Sequence, residues 1–99
     1  LSLEQLAEER LMMGLRTRLG VGIEELEEKY DYILNKRQQE YLTKRKQEGK
    51  LKADDRIKLT DKGIKIADAI ILDLVTLHWL LFFTKWNNLL LSRWAQNFN

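Results

Sequence analysis

The chain has 99 residues, 44% hydrophobic and 32% charged, with no cysteine and no proline. That length holds one modest core, and the lack of cysteine excludes disulfides, thiolate metal sites, cysteine nucleophiles and any iron–sulfur cluster held by this chain alone. The net charge of +2 hides an uneven spread: residues 1–35 carry 4 basic and 8 acidic side chains, residues 36–65 carry 11 and 5, and the rest 2 and 2, so the middle is a basic block.

Leu1 is followed by a helix start with no basic stretch or small-residue cleavage site before it, which predicts no secretory signal, a chain cut from a longer protein, and the cytoplasm as default compartment. Ser2-Leu3-Glu4-Gln5 has the S-x-x-Q form of a capping box. Leu3, Leu6, Ala7, Leu11, Gly14, Leu15 and Leu19 then recur at steps of three and four, predicting one inward face that runs to a stop at Gly20. A glycine on that face, Gly14, costs about 1 kcal/mol against alanine unless its missing side chain lets another element approach closely. Met12 and Met13 read as flexible fillers, in the core or at a contact.

Ile23, Leu26 and Tyr30 predict a short second helix with its glutamates toward the start. A third is predicted from about Leu34 to Glu48, anchored by Leu34, Tyr41 and Leu42 and closed by Gly49. In KLKADDRIKLT the period drops to two around Asp54-Asp55, predicting a β-hairpin. Thr60 or Asp61 then caps a helix whose inward stripe is Ile64, Ala67, Ile71, Leu74 and Val75. Beyond Thr76, Trp79, Phe83, Trp86, Leu90 and Trp94 form an aromatic helical seam. Lys85, Asn87 and Asn88 interrupt it short of the ~20 apolar residues of a membrane span, which favours burial against the domain, a partner or a second copy. The expected fold is mainly α with a small β-hairpin: a winged-helix-like domain over residues 1–75 and an apolar helical tail over residues 76–99.

ERLMMGLR at residues 9–16, Gly20-Val21-Gly22-Ile23, and LTDKG at residues 59–63 resemble the C-terminal domain of the oxygen-independent coproporphyrinogen III oxidase and haem chaperone family of radical SAM proteins. The resemblance covers roughly residues 2–75. It implies a non-catalytic, winged-helix-like accessory domain that packs on the radical SAM barrel of the same parent chain and restricts access to its active site. Glu9, Met12, Met13, Gly14, Leu15, Arg16, Leu59, Thr60 and Gly63 are the matching positions. The first helix would pack on the barrel, with Arg16 as an interdomain ion pair or substrate-side contact. The parent would hold an iron–sulfur cluster and S-adenosylmethionine, and in the chaperone branch haem. The three-cysteine motif, the S-adenosylmethionine contacts and the chaperone's haem motif have no counterpart in these residues, so no catalytic residue carries over. In the family an apolar pair follows the glycine before the hairpin, whereas here Gly49 is followed by Lys50. The tail after Val75 lies outside the resemblance.

The residues also suggest readings of other classes. His78, the only histidine, sits in an apolar run and is either an axial haem ligand or a packed or exposed histidine. Glu24, Glu25, Glu27 and Glu28 read as a solvated helix face, and no metal site is expected. A DNA-binding winged helix would place Lys36, Arg37, Lys44, Arg45 and Lys46 in the major groove and Lys50, Lys52, Arg56 and Lys58 on phosphates. Asn35, Gln38 and Gln39 are then its base readers. An oligomerisation or membrane-surface module built on the aromatic tail is the third class. Nucleic acid and membrane rank below the barrel as partners.

Overall fold

The computed structural model describes residues 1–79. Helix α1 (Leu3–Gly14) begins at the expected capping box: the Ser2 hydroxyl accepts from the Gln5 amide at 3.1 Å, and the Gln5 side chain accepts from the Ser2 amide at 2.9 Å. Ala7, Leu11, Gly14 and Leu15 are buried. The helix ends at Gly14 and not at Gly20, because the Gly14 carbonyl accepts from the Thr17 amide at 3.1 Å and the Thr17 hydroxyl at 2.8 Å, which turns the chain. Leu19, expected inside, is left exposed, and so is Leu3.

Strand β1 (Val21–Gly22) follows, then α2 (Ile23–Tyr30), α3 (Lys36–Gln47), the hairpin strands β2 (Leu51–Ala53) and β3 (Arg56–Leu59), and the single turn α4 (Asp61–Ile64). Residues 67–79 form a further helix, α5. The described residues are thus mainly α with a small antiparallel sheet, in an element order compatible with a winged-helix-like domain. The sheet has three strands in the order β1-β3-β2; Val21 pairs with Ile57 and Gly22 with Arg56. Opposite pairs Leu51–Leu59 and Ala53–Ile57 put the apolar side chains of the hairpin on one face, while Lys52 and Lys58 point away.

Two joints hold the sheet to the helices. Gly20 takes φ 65, and a side chain there would overlap the Ile57 carbonyl, so both backbone conformation and space require glycine. Thr60 donates to the Gly49 carbonyl at 2.6 Å and accepts from the Gly63 amide at 3.2 Å. That cap presses Gly63 against the Lys50 backbone, whose carbonyl carbon would lie only 2.8 Å from any Cβ. The Lys50 carbonyl also accepts from the Thr60 amide at 3.0 Å.

A turn at Lys65-Ile66 resets the helical phase between α4 and α5. Ile64, expected inside, is therefore exposed; the inward stripe of α5 is Ala67, Ile70, Ile71 and Leu74, with Val75 half-buried. Ile70, Ile71 and Leu74 join Ala7, Leu11, Leu15, Val21, Leu26, Tyr32, Leu34, Leu42, Leu51 and Ile57 in one core. Each fully buried leucine or isoleucine there contributes about 1.5–3 kcal/mol. Arg16 pairs with Asp68 and His78 lies beside Glu4, so α5 runs antiparallel along α1. The expected division at residue 75 falls inside α5. Phe83, Trp86, Leu90 and Trp94 of the expected seam lie outside the described residues. Among the described residues, no helix is long and apolar enough to cross a membrane.

Candidate functional site

The segment ERLMMGLR divides between the inside and the outside of the domain. Gly14 faces inward, where a Cβ would overlap a methyl group of Val21 and lie 3.1 Å from the Gly20 carbonyl. Leu15 beside it is fully buried. Met12 and Met13 face the other way, 42% and 65% exposed, so they fill no gap in the core. Their helical phase explains this: the buried positions are 7, 11, 14 and 15, and residues 12 and 13 lie about 100° and 200° around from Leu11. Glu9 and Arg16 are also exposed.

The antiparallel register places Leu72 of α5 at the level of Met12. Leu72 and Trp79 are 65% and 57% exposed; by helical phase they share the side of α5 that carries Asp68, and Met12 the side of α1 that carries Arg16, so the three fall along an apolar outer strip of the α1–α5 pair with Met13 at its edge. Arg16–Asp68 closes one end of this strip. At the other end the Trp79 indole N–H donates to Glu8. Arg16 and Asp68 also flank a shallow depression of about 280 Å³ beside the exposed Ile64 and Ile66. Arg10, between Glu9 and Leu11, donates to Glu25 at 3.0 Å and ties α1 to α2. That hydrogen bond holds the Glu25 carboxyl below its usual range, against a smaller opposing effect of burial.

Of the other motif positions, Leu59 is half-buried against the core, and Thr60 and Gly63 form the cap and the close approach at Lys50. All three serve the domain's own closure.

His78 stacks on Tyr32 with ring centroids 4.4 Å apart, and its Nδ1 lies 3.0 Å from Glu4 Oε1. Burial pushes the Tyr32 hydroxyl up to about 12; the Gln38 hydrogen bond opposes this, and the nearby charges of Glu8 and Glu4 add to it.

The basic face of α3 carries no set of open base readers. Gln38 is fully buried: its amide nitrogen donates to the Tyr32 hydroxyl at 3.0 Å and to the Leu74 carbonyl at 2.9 Å, and its oxygen accepts from the Asn35 amide at 3.0 Å. Asn35 caps α3 in return, accepting from the Gln38 amide at 2.8 Å, and Gln39 donates to the Leu34 carbonyl at 2.8 Å. The three side chains expected to read bases are spent on the fold. Arg45 pairs with Glu48 at 2.9 Å and lies 4.9 Å over the Tyr41 ring, and Lys46 approaches Asp54 at 3.7 Å. Lys36, Arg37 and Lys44 remain exposed. Asn35-x-x-Gln38 was a readable signal, since it has the same capping-box form as Ser2-x-x-Gln5.

The family model described as the HemN C-terminal domain matches residues 1–66. No curated protein and no solved structure matches the chain in the corresponding comparisons. The matched span takes in both motifs, the whole three-stranded sheet and α1 to α4. On that match, covering two-thirds of its length, the chain belongs to the HemN C-terminal domain family.

Proposed function

We propose that this chain is a non-catalytic accessory domain of a radical SAM coproporphyrinogen dehydrogenase-like protein or haem chaperone, and that the outer strip of α1 and α5 packs on the catalytic barrel of the same parent. The carrying observation is the exposure of Met12 and Met13 within a family motif whose neighbouring Gly14 and Leu15 are buried. Two adjacent exposed methionines make an adaptable apolar contact surface, and Leu72 extends it. Interfaces between domains of one chain have this mixed character, apolar in the middle with charged pairs at the rim. The chain offers no thiolate for an iron–sulfur cluster, so cluster and S-adenosylmethionine belong to the barrel. The domain's part is to cover the barrel and limit access to it, which excludes competing reactions.

The reading is tested by sequencing the reading frame upstream, where a barrel-length region with a three-cysteine cluster is expected. Oxidative footprinting then compares Met12 and Met13 in the 99-residue chain and in the full parent. Severalfold slower oxidation in the parent is the expected result. Equal rates, or no barrel upstream, would overturn it.

A further inference from the structure

We propose that Glu4, Glu8 and His78 form a site for a divalent transition-metal ion of the zinc type, clipping α5 to the start of α1. The three side chains offer ligand atoms that all lie within 4.8 Å of one another. Glu4 and Glu8 are one helical turn apart on α1 and share a face, and the antiparallel α5 brings His78 to that face.

The imidazole is what distinguishes this group from an ordinary acidic surface. His78 Nδ1 is shielded from solvent and makes no hydrogen bond, although Glu4 Oε1 is 3.0 Å away. The two atoms are close but not aligned as donor and acceptor. Two ligands held at about 2.0–2.1 Å from one zinc ion, at angles of roughly 90–110°, lie about 3 Å apart. The observed 3.0 Å separation fits two atoms sharing an ion as well as it fits an ion pair.

Neighbouring groups hold the ligands in place. The Tyr32 ring stacks on His78 at 4.4 Å and fixes the plane of the imidazole. The Trp79 indole donates to Glu8 Oε1, which orients that carboxylate. Such supporting contacts orient first ligands and tune affinity in metal sites generally. One imidazole with two carboxylates suits zinc, cobalt or nickel better than magnesium or calcium, which take all-oxygen shells. Glu4 is 51% exposed at its side chain, so water can fill the fourth position.

The test uses the untagged 99-residue chain, freed of metal with a chelator, and zinc chloride with magnesium chloride as control. Calorimetry is expected to show one zinc per chain, and melting to show a rise in Tm of several degrees at saturating zinc. Magnesium should do neither. Glu8→Gln and His78→Gln should each weaken zinc binding tenfold or more. Because His78 is the only histidine, its imidazole proton resonances report the site in the unaltered chain, whatever the variants do to folding. Those resonances should shift with zinc and saturate at one equivalent. Zinc binding that leaves them unmoved, or no saturable binding at all, overturns the proposal.

Discussion

Where Gly63 meets Lys50 and Gly20 meets Ile57, backbone lies on backbone with no side chain between; where α5 meets α3, polar side chains reach across the gap. Gln38 donates to the Leu74 carbonyl at 2.9 Å, Asn35 to the Leu77 carbonyl at 3.4 Å, and Tyr41 to Asp73 at 2.7 Å. The two joints are opposite in kind. A steric joint fails when an atom is added, because close-packed backbone cannot yield. A hydrogen-bonded joint fails when an atom is removed, because the partner stays buried and unpaired.

The largest effect is expected from Gly63→Val, which drives a side chain into the Lys50 backbone. It should cost about 3 kcal/mol or more in urea unfolding. Gly14→Leu should follow closely, since its first obstacle is a methyl group of Val21, followed by the Arg10 guanidinium and the Gly20 carbonyl. A loss below about 1 kcal/mol in both would remove the steric account.

Gln38→Leu keeps volume but abandons the Tyr32 hydroxyl, the Leu74 carbonyl and the Asn35 amide at once. Roughly 2–3 kcal/mol should be lost, and wild-type stability in this variant would show that packing alone seats α5.

The smallest expected effect is a matter of pH. The Tyr32 hydroxyl is held up to about 12 by burial, so the folded state favours the neutral phenol. That contribution is fully present below about pH 10, the ordinary tyrosine value, and is lost as pH rises through about 12. Ultraviolet titration of the folded chain, with Tyr32→Phe as reference, should show this tyrosine ionising late. Ionisation near 10 would mean that α5 does not close over it.

Local signals made much of the sheet joint legible. The Ser2 capping box, the hairpin at Asp54-Asp55 and the Thr60 cap are each written within a few residues. Strand β1 was not legible, because Gly20-Val21-Gly22 extends only by pairing with Arg56 and Ile57, far along the chain. At Met12 and Met13 period decides what composition does not. Their chemistry left core and contact both open, and their phase on α1 puts them outside. Gln38 is the reverse case, a polar residue fully buried because partners for both its amide nitrogen and its oxygen lie within reach, locally and across to α5. The Glu4, Glu8 and His78 cluster joins the two ends of the described chain, a proximity that no spacing rule in the sequence could supply.

The antiparallel seating of α5 on α1 also bears on how the chain is made. Leu15 and Ile70 belong to the same core, yet the second is synthesised long after the first. At about 5–20 residues per second, the roughly 55 residues between them take about 3–11 s to appear. Through that interval the apolar face of the first helix emerges from the ribosome with its lid still unmade. Early cover for Leu11 and Leu15 comes from Val21 and Leu26, which follow within about 15 residues, while the side that α5 will occupy stays open.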